Sequence, residues 1–398
     1  MPLRSWPALS SDQSRVAEPV PSGNSGGVSL GFSEVRRAKL RFGLLTAAVA
    51  LLVFLVLLLS TLAGALVGSL TGALSGLQAQ GLAYAADARD NIVASRLEPS
   101  AADAVAAVPG VAAVGSVGTF TTRADIAGTA QDLQVFGFEP GAPGAPGGLS
   151  AGRLPEAQGE TAIDGGGVEI GDTVVLEPTG VPLTVVGQLR GAQFNGIPTA
   201  YVVLDTYGVA IEAANPGLPF VPVNAVAFDV ADGADPEQVA ADITATVPGV
   251  VGYSRDMAVD RIPGISSITQ SFGILVGLTF IIGIVVIGFF FLILTVQKMA
   301  SLTLLRAVGA STAYLVRALL LQIAFVVAGG LVVGTLLTVL AVRGASAGLP
   351  ITISPSTLAA SALGVILLAL LGSTITLLRV RRIDPASVVS RPSLGGLA

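Results

Sequence analysis

Two short patterns in this 398-residue chain could carry chemistry, and both are patterns for contact rather than for bond making. The first reads Lys298-Met-Ala-Ser-Leu-Thr-Leu-Leu-Arg306-Ala-Val-Gly-Ala-Ser311. Leu302, Leu305 and Arg306 fall on one face of a helix, Ala307 continues it, and Gly309 is placed to end it. A short amphipathic helix of this kind suits a groove on a soluble partner. The second is Gly64, Gly68, Gly72 and Gly76, one glycine every four residues. Glycine in a helix costs up to about 1 kcal/mol relative to alanine. Four on one stripe leave a groove that another backbone can enter. A second copy of the chain, a cargo molecule or the chain's own helices could fill it. Gly273/Gly277 and Gly330/Gly334 repeat the spacing.

The chain has no cysteine and no histidine. Disulfides, thiol chemistry, Cys/His zinc sites and histidine acid-base catalysis are thereby excluded. Asp and Glu remain, but no nucleophile motif accompanies them. No G-x-x-x-x-G-K-[ST] loop exists, because neither lysine, Lys39 or Lys298, follows a glycine. ATP, if it powers this protein, is bound by another chain.

The elements that must position these patterns are apolar. Only 12% of residues are charged, against roughly a quarter in soluble proteins. Four stretches are nearly free of charge: Phe42 to about Leu66, Phe272 to Val296, Ala318 to Val342, and about Leu358 to Leu378. Each has the roughly 20 apolar residues that a bilayer crossing needs. The first lies too far along the chain, and is too long, for a cleavable signal. The expected fold class is an α-helical membrane protein with four transmembrane helices plus an α+β extracytoplasmic domain inserted between helices 1 and 2. The expected segments are a disordered cytoplasmic tail (1–28), an interfacial amphipathic helix (29–41), helix 1 with its stalk (42–76) and the extracytoplasmic domain (77–265). Helix 2 (266–297), a cytoplasmic coupling loop (298–314), helix 3 (315–342), an outer loop (343–357), helix 4 (358–379) and a cytoplasmic tail (380–398) follow.

Orientation follows from the basic flanks. Arg36, Arg37, Lys39 and Arg41 precede the first span; Lys298, Arg306 and Arg317 lie between the second and third; Arg379, Arg381, Arg382 and Arg391 follow the fourth. These segments are therefore expected in the cytoplasm. Residues 71–270 hold 7 Lys+Arg against 22 Asp+Glu, a net of −15, while the rest of the chain is +10. Nothing in this distribution favours nucleic acid. The spans hold no charge, and intramembrane charges mark ion and proton pathways. That argues against transport driven by protons or sodium.

Within 77–265, the runs Leu133–Phe138, Thr173–Leu176, Leu183–Val186, Ala200–Leu204 and Ala225–Val230 read as strands. Ala102–Val114 and Pro236–Tyr253 each read as a helix, then Val-Pro-Gly-Val, then an apolar strand. Two such copies suggest a pseudo-symmetric unit with a β-rich insert at about 154–225. Gly141–Gly148 (GAPGAPGG) reads as a surface loop.

The segment from Ser301 to Ala310 resembles the signature of the FtsX-like/MacB-like permeases, the type VII ABC transporters, roughly E-I-G-x-L-R-A-x-G-A. Leu302, Leu305, Arg306, Ala307, Gly309 and Ala310 match; Ser301 replaces the Glu and Thr303 the Gly. The ending Arg379-Val-Arg-Arg-Ile-Asp384-Pro385 is similar to the family's closing motif, and the layout of one span, a large domain and three spans matches too. Glu34 to Phe42, Gly171-Asp172, Pro222-Val-Asn224-Ala-Val and Thr295-Val-Gln297-Lys298 look like the haem-efflux/DevC-like branch, whose members also lack the Glu.

The resemblance implies a bacterial plasma-membrane permease working by mechanotransmission. Its partners would be a separate ABC ATPase subunit holding ATP and magnesium, a second copy of the permease (a homodimer), and membrane lipid. No cofactor is expected on this chain and no enzyme activity of its own. The cargo implied is hydrophobic or amphipathic, haem first, lipid or antibiotic also possible. Haem could take an axial ligand here only from a residue such as Met257, Tyr84 or Tyr253. The alternative with the same layout is a non-transporting regulator of a cell-wall hydrolase.

Overall fold

Residues 39–126, 128–307 and 312–345, with scattered positions from 359 to 371, are described by a computed structural model. Three helices in it are long and apolar enough to cross a membrane. α1 is Lys39–Ser75, α6 is Ile265–Ala307 and α7 is Thr312–Ala345. The fourth expected span lies mostly outside the described residues; those that are described there, such as Leu363 and Ile366, are helical. The tail 1–28 and residues 29–38 of the expected interfacial helix also lie outside them, and Lys39–Arg41 already belong to α1.

α6 has 43 residues, about 65 Å at 1.5 Å per residue, roughly twice a hydrocarbon core. It replaces the expected separate coupling helix: 298–307 continues α6 unbroken. The physical reason is plain in the residues, since neither Gly nor Pro occurs between Gly288 and Gly309. Likewise α7 absorbs Arg343–Ala345 from the expected outer loop.

The three helices pack through one buried stripe of α1, Leu45, Val49, Val53 and Leu57, against Ile287 of α6 and Ile323, Val326 and Val327 of α7. The four-residue spacing keeps that stripe on one face. Glycines on the partners let the backbones close up: a Cβ at Gly330 would stand 2.4 Å from Val49, and one at Gly334 2.7 Å from the Ala50 carbonyl oxygen. Gly330/Gly334 is thus packing within the chain.

Between α1 and α6 the chain forms β1 (Leu77–Gln78), β2 (Gly81–Ala85), α2 (Ser100–Ala106), β3 (Val111–Ile126), β4 (Thr129–Phe138), β5 (Ala145–Pro146), β6 (Leu149–Gly152) and β7 (Glu160–Asp164). β8 (Thr173–Glu177), β9 (Pro182–Leu189), β10 (Thr199–Val203), α3 (Leu204–Ala214), β11 (Ala225–Val230), α4 (Pro236–Thr246), β12 (Val250–Ser254) and α5 (Arg255–Asp260) follow. Antiparallel strands in the order β12-β2-β11-β3 make one sheet, backed by α2 and α4. The two Val-Pro-Gly-Val segments sit at equivalent places, each glycine at positive φ (Gly110 93°, Gly249 75°) between a helix and the strand that follows.

β3 is long enough to serve twice. Its first half pairs with β11; its second half pairs with β4 and β8. The pairings β3-β4-β10-β7-β9-β8-β3 close a six-stranded barrel. Its filling includes Ile126, Leu133, Val135, Val174, Leu183 and Val202. The insert therefore starts inside β3, near Gly118, rather than at about 154, because β3 runs on past β11 and changes partner to β4 at that point.

Asn224 joins barrel and sheet. It is 1% exposed. Its Oδ1 accepts from the Thr119 amide at 2.6 Å and faces the Tyr207 hydroxyl at 3.1 Å, while Nδ2 donates to the Ile92 (3.1 Å) and Ser95 (3.0 Å) carbonyls. Burial pushes the Tyr207 phenol up to about 12, so it stays a neutral donor. Asn224→Ala strands these buried groups and is expected to cost about 3 kcal/mol. Thermal inactivation and protease resistance of the full chain in detergent check this; an unchanged melting midpoint contradicts it.

Candidate functional site at the ends of the long helices

The glycine stripe divides in two where α1 meets the sheet domain. Gly72 packs against backbone: a Cβ there would stand 2.6 Å from the Gly191 carbonyl oxygen and 3.0 Å from that of Gln193. Around it the loop 191–196 enters the helix's own ladder. The Ala73 amide donates to Gln193 (2.9 Å) and the Gly196 amide donates to Ser69 (2.9 Å). Ser69 and Ala73 are the carbonyl and amide that an uninterrupted helix would pair with each other. The Asn195 amide adds a bond to Leu70 at 3.3 Å. Only a residue without a side chain at 72 allows this approach.

The loop is built to hold that position. Phe194 and Ile197 bridge across Asn195-Gly196, both at positive φ (53° and 72°), the geometry of a tight turn favoured by Asn-Gly. Asp164 accepts from the Ala192 amide at 2.6 Å, the Tyr201 hydroxyl donates to the Ala192 carbonyl at 2.7 Å, and Thr199 Oγ1 accepts from the Phe194 amide at 2.9 Å. Phe194 packs edge-on to Phe136 at 5.5 Å. Burial pushes the Asp164 carboxyl up, while its amide donors and Arg190 pull it back.

The segment Gly141–Gly148 closes the other side. β5 pairs with β1, the Gly147 amide donates to Gly76 at 2.8 Å, and the Gly144 amide donates to Gln78 at 3.1 Å. Expected as a surface loop, it is instead half of a collar around the end of α1. Its composition says only that the chain turns; its burial comes from the small residues that let it lie against Val117 and Ala227.

The remaining stripe stays open. Among the described residues no atom of another element lies within 4 Å of a Cβ at Gly64, Gly68, Gly273 or Gly277. Leu62 and Leu66 flank the first pair on α1, Ile274 and Leu278 the second on α6, all exposed. Leu302, Leu305, Arg306 and Ala307 stand on the last turns of α6. Gly309 and Ala310 lie outside the described residues.

The three expected iron ligands do not converge on an opening. Tyr84 is 3% exposed within the domain core, the Tyr253 hydroxyl is bonded to Asp90 at 2.5 Å, and Met257 is a partly exposed residue of α5. Among the described residues no group of three or more Asp or Glu could hold a metal.

Residues 273–385 match the family model for the C-terminal part of FtsX-like permeases. These residues form an FtsX-like permease domain. The match begins on α6, takes in the coupling segment and α7, and ends at Pro385. With the three apolar helices it makes this a membrane protein. Two solved structures are similar to part of this chain. The periplasmic region of MacB from Actinobacillus actinomycetemcomitans is 11% identical, with a TM-score of 0.35, over 48% of this chain and 95% of that one. The extracellular domain of the noncanonic ABC-type transporter YknZ from Gram-positive bacteria is 15% identical, with a TM-score of 0.30, over 44% of this chain and 98% of that one.

Proposed function

We propose that this chain is the permease subunit of an FtsX/MacB-like ABC transporter in a bacterial plasma membrane. A separate ATPase subunit binds ATP and magnesium, and the permease turns its closure into movement of the sheet domain. The observation that carries this reading is α6 itself. One unbroken helix reaches from the sheet domain at Ile265, through the FtsX-like match, to Leu302, Leu305 and Arg306. A helix is stiff along its axis, so displacement of its coupling end is delivered to the domain at the other. α1, seated in its collar, is the second rod. Two copies would meet along the Gly64/Gly68 and Gly273/Gly277 faces, where no other described residue stands within 4 Å of an added Cβ.

The cargo class is hydrophobic or amphipathic, because the spans carry no charged residue to meet it. Haem is the first cargo to test, and it would be held by apolar contact, Tyr84 being buried and Tyr253 bonded to Asp90. A deletion strain is expected to be haem-sensitive, and the purified complex to show haem-stimulated ATPase activity. Normal resistance together with no stimulation rejects haem.

Topology gives a direct test of the layout. The protein has no cysteine, so single cysteines introduced at Ser150 on β6, the strand beside the barrel, and at Ser301 on α6 can be labelled without background. An impermeant thiol reagent is expected to label the first and spare the second in intact cells. The reverse pattern overturns the orientation and, with it, the access of an ATPase to α6.

A further inference from the structure

Arg89 and Asp90 are consecutive non-glycine residues at positive φ, 49° and 65°; among the described residues the third such residue is Asn195. The left-handed region is costly for L-residues, and strained backbone persists only where its surroundings hold it. The turn is closed by the Asn91 amide donating to the Ala88 carbonyl at 3.1 Å, and the Asp90 carboxylate ties it to its neighbours. Oδ1 accepts from the Tyr253 hydroxyl at 2.5 Å, and Oδ2 faces Arg261 Nη1 at 3.5 Å. The Arg261 guanidinium also lies 5.2 Å from the centre of the Tyr253 ring. Three segments therefore close on one carboxylate: the turn after β2, the strand β12, and the connector from α5 to α6. Arg261 stands four residues before α6 begins.

The closure is not a buried one. The Asp90 side chain is 32% exposed and that of Arg261 51%. An ion pair so solvated is weak and easily exchanged for water. A solvated ion pair at the root of a long helix is an element that can open and close at little cost.

We propose that Asp90 is a releasable clasp at the root of α6. Engaged, it holds the root against β12 and β2, as seen here. Released, the connector lets α6 change its angle to the sheet. That ATP drives the release rests on the permease reading; the clasp itself does not.

The test uses the full chain in lipid nanodiscs with spin labels on cysteines introduced at Gln238 of α4 and Ser266 of α6, both exposed. The parent is expected to show one dominant distance. Asp90→Ala and Arg261→Gln should each raise a second population roughly two- to fivefold, the effect that loss of an exposed ion pair can have. The double variant should go no further than either single one, because both break one network. Asp90→Asn tolerates positive φ and still accepts from Tyr253, so it should fall between parent and Asp90→Ala. Protease protection equal to the parent's shows that the variants fold. Distance distributions of all three single variants superimposed on the parent's, in folded protein, overturn the clasp. If the variants shift but adding an ATPase partner and nucleotide moves nothing, the clasp stands and the permease reading fails.

Discussion

Leu305→Asp and Arg306→Glu are each expected to abolish stimulation of the partner ATPase while leaving the permease inserted and folded. Both residues stand on the last turns of α6, the end of the rod that would meet the ATPase. In a small groove on a soluble partner, a new or reversed charge is left buried without its counterpart, a loss of about 2–5 kcal/mol. At the lower figure that is roughly 30-fold weaker docking, enough to lose copurification at ordinary concentrations. Copurification of the ATPase and its hydrolysis rate are the two readouts. Coupling like the parent's in both variants would place the ATPase contact elsewhere.

Gly72→Leu is the second large effect. Its Cβ would stand 2.6 Å and 3.0 Å from two carbonyl oxygens, both on the main chain of the loop facing it. Backbone cannot rotate out of the way as a side chain can. The collar would have to open, losing the Ala73–Gln193 and Gly196–Ser69 bonds at about 1 kcal/mol each. Overpacking adds about 1–3 kcal/mol. Loop 191–196 should become a protease site, and transport should be lost with insertion intact. Gly68→Leu is the matched control for the collar, since no other described residue lies within 4 Å of its Cβ. It should leave the loop protected. If it nevertheless abolishes transport, the contact it breaks belongs to a second copy or to cargo. Full protection and full transport in Gly72→Leu would show that the collar carries no movement.

Much of this was legible in the residues because it rests on composition over long windows. Charge-free runs longer than a bilayer is thick have few alternatives, and three of the expected spans are present as helices. The strand runs at 133, 173, 183, 200 and 225 all lie in strands of the fold, and both Val-Pro-Gly-Val segments separate a helix from a strand. The collar was not legible. Gly64, Gly68, Gly72 and Gly76 are equivalent in sequence, and only two distant segments, 191–196 at Gly72 and 141–148 at Gly76, distinguish the second pair from the first. One local signal was there to be used: Asn195-Gly196 is a strong turn dipeptide. It marks a turn without saying what the turn touches. The clasp had no signal at all, because Asp90, Tyr253 and Arg261 meet only through the closing of the sheet. The unbroken α6 was missed for the opposite reason: the signal was an absence of breakers, read as a loop because membrane spans usually stop at the surface.

The most direct measurement is whether nucleotide on the partner moves the sheet domain. A single cysteine introduced at Ser150, exposed on β6 beside the barrel, takes one spin label per chain. In a complex of two permeases with their ATPases, the distance between the two labels can be read without nucleotide and with ATP trapped on a hydrolysis-deficient ATPase. A shift of the main distance on ATP binding, lost again in Leu305→Asp, is the result expected for a permease driven through α6. Identical distributions in both states, in a complex whose unmodified ATPase is active, would contradict it.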